Sequence, residues 1–136
     1  MNCVFCRIAA GTIPSTKIYE DGSTLAIMDI NPLTPGHLLV LPKAHVENLF
    51  DADEKTVAEV IRVVVRIAKA IRRGLKPDGL NVLQANGRAA FQSVPHLHFH
   101  LIPRREGDGA GFDWPPVPGK PEELSRLGGE IRAALG

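Results

Sequence analysis

The sequence predicts an α+β fold: a five-stranded antiparallel sheet with one long helix and short N- and C-terminal helices. Three observations carry this. Short β-rich segments recur at 17–20, 25–29, 37–41, 80–84 and 97–102. Between the third and fourth of them the apolar period changes to that of a helix, at Val57, Val60, Ile61, Val64, Ile67, Ala68 and Ile71. The order strand-strand-strand-helix-strand-strand then suits antiparallel pairing with the helices on one side.

The first element is a short helix over 3–10, ended by Gly11 and Pro14. Lys17 to Glu20 is a strand, and Asp21-Gly22 turns it into the next, Leu25 to Asp29. Two prolines and a glycine make Asn31 to Gly36 a loop, since proline cannot donate to a ladder. His37 to Leu41 is almost continuously apolar and should be covered on both faces. The long helix opens with Asp51 and Glu54 in the spacing of a capping box, carries Arg72, Arg73 and Lys76 at its negative end, and closes at Gly74 and Pro77. Val63 and Val65 add apolar surface beyond one stripe. Leu124, Leu127, Ile131 and Leu135 mark a closing amphipathic helix with Pro121 in its first turn. The expected organisation is one domain, with residues 1–104 as its body and 105–136 as a tail and closing helix.

In the fifth strand, Pro95-His96-Leu97-His98-Phe99-His100-Leu101, three histidines alternate with apolar residues. A strand puts alternate side chains on opposite faces. His96, His98 and His100 should share one face, with Leu97, Phe99 and Leu101 turned to the core. Imidazoles can serve as nucleophile, general acid or base, or metal ligand. Cys3 and Cys6 have the spacing of half a zinc site, and His45 and His96 are available to complete one; a redox pair or two free thiols are the other readings. The 136 residues carry a formal net charge of +1, which argues against a general nucleic-acid or membrane-surface binder. No apolar run reaches the length of a membrane span, and the N-terminus lacks a signal-peptide pattern, so a soluble cytoplasmic protein is expected.

The alternating histidines, preceded by Gln92-Ser93-Val94, resemble the motif of the histidine triad (HIT) family of nucleotide hydrolases and transferases. Asp29-Ile30-Asn31-Pro32, Pro35-Gly36-His37 and Asn86-Gly87 fall where that family has its other landmarks. The resemblance implies a purine nucleotide substrate cleaved at the α-phosphorus, with His98 as nucleophile held by a backbone carbonyl. It places His100 and His37 at the phosphate, with Gln92 and Ser93 near the phosphate and the leaving group. Asp29 and Asn86 would meet the ribose, and Phe5, Ile8, Ile27 and Leu38 the base. It implies a structural zinc on Cys3, Cys6, His45 and His96, and a homodimer through the long helix and the strand at Leu80 to Gln84.

Within the family, cleavage of nucleoside 5′-phosphoramidates or adenylyl conjugates is the first expectation. The stretch Phe112-Asp113-Trp114-Pro115-Pro116, similar to the tail of that branch, favours it. A dinucleoside polyphosphate hydrolase and a nucleotide-binding regulatory module are the alternatives. One departure stands out: Phe91 occupies the position before Gln92 where the family usually has glycine, and it should alter the loop or the leaving-group pocket.

Overall fold

The computed structural model describes residues 2–112 and 114–136; of the tail stretch read above, Asp113 lies outside the described residues. Among the described residues nine elements follow in order: α1 (Val4–Ala9), β1 (Lys17–Glu20), β2 (Thr24–Met28), β3 (Leu38–Pro42), α2 (Glu54–Leu75), β4 (Gly79–Gln84), a 3-10 turn (Arg88–Ala90), β5 (Phe99–Arg104) and α3 (Pro121–Ala134). The strands form one antiparallel sheet in the order β1-β2-β3-β5-β4.

The sheet has two apolar faces. Ala26, Leu38, Val40, Leu97, Phe99 and Leu101 pack against Val60, Val63, Val64, Ile67 and Ile71 of α2. Leu25, Ile27, Leu39 and Leu41 pack against Cys3, Phe5 and Ile8 of α1. The expectation of helices on one side therefore fails for α1, which covers the opposite face from α2. All five residues of β3 are buried, as its unbroken apolar run requires.

The α2 helix is capped by Asp53, whose side chain accepts from the Thr56 backbone N–H at 3.0 Å. The Asp51–Glu54 box is thus displaced by two residues: the chain turns at 48–52, where Asp51 and Ala52 donate to the Asn48 carbonyl. At the other end Gly74 stays helical, and Lys76 takes the left-handed cap conformation instead. Ile61, counted in the core stripe, is exposed while Val63 is buried. At about 100° per residue, Val63 falls within the arc of Val60, Val64, Ile67 and Ile71, whereas Ile61 and Val65 face elsewhere. The helix α3 begins at Pro121 as expected, but its stripe of Leu124, Leu127, Ile131 and Leu135 is exposed. No helix among the described residues is long and apolar enough to cross a membrane.

Candidate active site and metal centre

The histidine segment enters the sheet two residues later than expected. Before Phe99 the chain is tied sideways: Leu97 N–H donates to the Val46 carbonyl at 2.8 Å, and the His96 ring bonds the Pro42 carbonyl at 2.8 Å. His96 is consequently drawn toward α1, while His98 and His100 remain side by side, with ring centroids 4.9 Å apart.

Hydrogen-bond partners assign the proton on each ring. His98 Nδ1 lies 2.7 Å from the His96 carbonyl, an acceptor, so Nδ1 carries the hydrogen and Nε2 keeps a free lone pair. The Leu33 N–H donates to His37 Nδ1 at 2.9 Å, which leaves the hydrogen on His37 Nε2. That Nε2 donates to His100 Nδ1 at 2.9 Å, and His100 is left with an N–H at Nε2. Asp29 Oδ2 stands 3.4 Å from His37 Nε2; its Oδ1 accepts from the Asn31 N–H at 2.8 Å.

Burial pushes the His98 imidazole below its usual range, against the opposing pull of the His96 carbonyl and Asp29. Burial, reinforced by His98 and His37, lowers His100 to about 4. His37 is lowered too, again chiefly by burial. All three are therefore neutral near pH 7. The sign for stability follows. The unfolded chain titrates His100 near 6.5 and the folded chain near 4, so between these values the unfolded state binds more protons and stability falls as pH drops. Thermal melts should show the midpoint falling from pH 6.5 to 4.5, and His100→Asn should flatten part of that slope. An unchanged slope in the variant would contradict the assignment.

Gly36 places His37. With φ at +92°, and a site where a Cβ would come within 2.6 Å of Leu75 Cδ1 and 3.1 Å of Pro103 Cγ, this position favours glycine. Thr34 Oγ1 donates to the Pro103 carbonyl at 2.7 Å and anchors the same loop to β5.

Beside the histidines lies a cavity of about 250 Å³, lined by Phe5, Ile8, Ile27, Asp29, Ser93, His98 and His100, with Val4, Ile13, Ile30, Leu39 and Val94 among the others. Larger recesses lie elsewhere, one of about 570 Å³ around Arg104 and Asp108 and an apolar one of about 460 Å³ against the end of α2. Neither contains a histidine, so the smaller cavity, with His98 and His100, is the candidate site.

Of the residues expected at the base, Phe5, Ile8 and Ile27 are there. Leu38 is not: it packs in the α2-side core. In the ladder Leu38 is paired with Leu101 and Leu39 with His100. Paired residues share a face, so Leu39 belongs on the histidine side. The sequence signal existed, in the alternation of β3, but using it required the β3–β5 register.

Gln92 and Asn86 lie outside the cavity lining. Gln92 Oε1 accepts from the Gly87 N–H at 2.7 Å and from Asn48 Nδ2 at 3.2 Å, and its Nε2 donates to the Glu47 and Val94 carbonyls at 2.7 and 3.1 Å. Asn86 Oδ1 accepts from the Leu49 N–H at 2.8 Å, and its amide pairs with Gln84. These two side chains brace the loops on either side of the 3-10 turn. Asn48, the buried partner of Gln92, was not singled out from the sequence.

Cys3, Cys6, His45 and His96 converge, their ligand atoms all within 4.8 Å of one another, and could hold a metal ion. His45 Nδ1 and His96 Nδ1 are 3.2 Å apart; Cys3 Sγ is 3.3 Å from His96 Nδ1; Cys6 Sγ is 3.3 Å from His45 Nδ1 and 3.6 Å from His96 Nδ1. Ligands at zinc bond lengths on a tetrahedron would be about 3.3 Å apart for two nitrogens and about 3.6 Å for nitrogen and sulfur. The ring of His96 is prepared for this, since its Nε2–H donates to the Pro42 carbonyl and frees Nδ1. Asp29, His37 and His100 also come together. There the tautomers oppose a cation, because the hydrogen on His37 Nε2 occupies the inward position. Phe5 joins the two centres, its ring edge-on to His96 at 5.8 Å and to His98 at 5.1 Å.

A neutral imidazole with one unprotonated nitrogen, an adjacent N–H donor, a carboxylate and an apolar recess are the groups that nucleophilic chemistry on a partly apolar ligand uses. Sequence comparison gives the family: the HIT domain description matches residues 10–107, and the chain belongs to this family. The adenosine 5′-monophosphoramidase hnt1 of Schizosaccharomyces pombe is 42% identical, over 99% of each chain. A crystal structure of a HIT family member from Bacillus subtilis superposes with a TM-score of 0.91 at 44% identity, covering 100% of this chain and 99% of that one. A structure from Mycobacterium smegmatis, described as a Zn-bound histidine triad family protein, gives a TM-score of 0.78 at 45% identity, with 98% of each chain covered.

Proposed function

We propose that the protein hydrolyses purine nucleoside 5′-phosphoramidates or related adenylyl conjugates through a nucleotidyl-His98 intermediate. The observation that carries this is the 2.7 Å bond from His98 Nδ1 to the His96 carbonyl, which leaves Nε2 unprotonated at the wall of the cavity. Nε2 attacks the α-phosphorus, the Nε2–P bond forms and the P–N bond to the leaving amine breaks. Water then attacks phosphorus, the Nε2–P bond breaks, and the nucleoside monophosphate departs. Over both steps the amine gains one of the water's protons, and the phosphate keeps the hydroxyl.

Near neutral pH His100 offers its Nε2–H to a phosphate oxygen, and His37, with both nitrogens engaged, acts through His100. Ser93, in the cavity lining, would serve the leaving group. Asp29 would accept from the ribose hydroxyls, as charge-assisted bonds favour, and Phe5, Ile8, Ile27 and Leu39 would take the base. Gln92 and Asn86 serve by holding the loop that carries Ser93. The activity named for the Schizosaccharomyces pombe relative supports this reading over cleavage of dinucleoside polyphosphates. The test is a hydrolysis panel of adenosine 5′-phosphoramidate against diadenosine polyphosphates; preference for the latter would favour the second reading.

The Cys3-Cys6-His45-His96 cluster is proposed to hold a structural zinc, with all four positions filled by protein and none open to water. Cys3 and Cys6 gather with two imidazoles and are not joined in a disulfide, which suits a reducing compartment such as the cytoplasm.

We also propose a homodimer. Ile61 and Val65 form a second, exposed apolar strip on α2, and β4 is an edge strand with Val82 and Leu83 exposed. In that assembly Trp114 would lie near the neighbouring site. Light scattering should give about twice the 14.7 kDa of one chain; a monomer at full activity would contradict the dimer and any role for Trp114 across it.

A further inference from the structure

The Asp29 carboxylate, assigned to the ribose hydroxyls, is turned mostly into the protein. Its side chain is 16% exposed, and each oxygen faces an N–H of the chain itself. Oδ1 accepts from the Asn31 N–H at 2.8 Å. Oδ2 stands 3.4 Å from His37 Nε2 and 4.0 Å from His100 Nδ1. His37 Nε2 is itself 2.9 Å from His100 Nδ1. One hydrogen therefore sits between the His100 lone pair and a carboxylate oxygen.

The two imidazoles have two possible hydrogen arrangements. In the first, His37 accepts at Nδ1 and donates from Nε2, and His100 presents an N–H at its outer Nε2. In the second, both rings carry hydrogen at Nδ1, and His100 presents a lone pair outward. The Leu33 N–H, 2.9 Å from His37 Nδ1, opposes the second. Asp29 Oδ2 opposes it as well, because it would then face a lone pair on His37 Nε2 instead of a hydrogen. The first arrangement offers a donor to a phosphate oxygen; the second sets a lone pair against it.

We propose that Asp29 is a positioning residue for phosphate binding as well as an acceptor for the ribose: Oδ2 holds the His37–His100 pair in the tautomer that keeps hydrogen on His100 Nε2. The position demands a carboxylate, which accepts at both oxygens. An amide has one acceptor and one donor, so either way round its donor would meet the Asn31 N–H or the His37 N–H. The remaining lone pairs of the carboxylate leave the ribose role intact. This role rests on the phosphoramidase reading and adds a second duty to one of its residues.

The experiment measures kcat and KM of wild type, Asp29→Asn and Asp29→Ala on adenosine 5′-phosphoramidate and on its 2′,3′-dideoxy counterpart, which has no ribose hydroxyl for Asp29 to bind. Asp29→Asn should lower kcat about a hundredfold on both substrates, the order of loss when one donor to a developing oxyanion goes. Asp29→Ala brings no opposing donor and should lose less kcat than Asp29→Asn on the dideoxy substrate, although it removes more atoms. Nitrogen-15 NMR of the imidazoles, without substrate and near neutral pH, should show hydrogen on Nε2 of both His37 and His100 in wild type, and His100 moved toward the Nδ1 form in Asp29→Asn. A ribose role alone predicts a loss in Asp29→Asn that disappears on the dideoxy substrate, and that result would overturn the proposal. So would a larger loss in Asp29→Ala than in Asp29→Asn on that substrate, or the same imidazole tautomers in Asp29→Asn as in wild type. Wild type inactive on both substrates would overturn the phosphoramidase reading, and the NMR comparison would still decide whether Asp29 sets the tautomer.

Discussion

Replacing His98 with alanine should lower turnover by about four to six orders of magnitude, the loss seen when a covalent nucleophile is removed. Affinity for AMP should change only a few fold, because the cavity walls and Asp29 remain. The magnitude follows from the site: His98 is the one imidazole of the lining with its second nitrogen assigned as unprotonated and free. His100 cannot substitute, since its lone pair receives the His37 N–H at 2.9 Å and its outward nitrogen carries hydrogen. Steady-state kinetics together with AMP titration would check this, and wild-type turnover in the variant would remove His98 from the mechanism.

Removing both thiols, Cys3→Ser with Cys6→Ser, should abolish metal binding and lower the melting temperature by about 10 °C or more, since metal affinity is coupled to folding. Metal analysis of the wild type should find one zinc per chain. The loss should also reach the reaction. His96 contributes its ring to the cluster and its carbonyl to His98, and Phe5, on the helix that the cysteines pin, contacts both rings. Chelation of wild-type protein should therefore reduce kcat as well as stability, and re-added zinc should restore both. Metal-free protein with unchanged melting would leave Cys3 and Cys6 as free thiols.

Much of this was legible in the residues. Periodicity located each strand and the long helix within about three residues, because alternation and the 3.6-residue repeat are local properties. Spacing marked Cys3 and Cys6 as half a metal site, the family resemblance added His45 and His96, and the four do converge; the triad was legible through its alternation. What escaped depended on distant partners. The sequence cannot show that Val46 and Pro42 hold the chain at 96–97 out of the ladder, so the strand was expected to begin two residues early; that His96 and His98 share a face, both against Phe5, was legible in the alternation. Leu38 was preferred over Leu39 for want of the β3–β5 register. The side of the sheet taken by α1 depends on Phe5 and Ile8 packing against Leu25, Ile27, Leu39 and Leu41, partners distant in sequence. Phe91 was expected to alter the loop or the leaving-group pocket; its backbone takes a left-handed conformation that favours glycine, with the ring 91% exposed, which the sequence alone does not show.

The central claim is the covalent nucleotidyl-His98, and trapping tests it most directly. Wild-type protein mixed briefly with adenosine 5′-phosphoramidate, quenched in denaturant and mapped by mass spectrometry should carry one adenylyl group, on the peptide containing His98. The adduct should be absent from His98→Ala and should vanish from wild type as AMP accumulates. An adduct on His100 or His37, or turnover with no adduct at any quench time, would contradict the account.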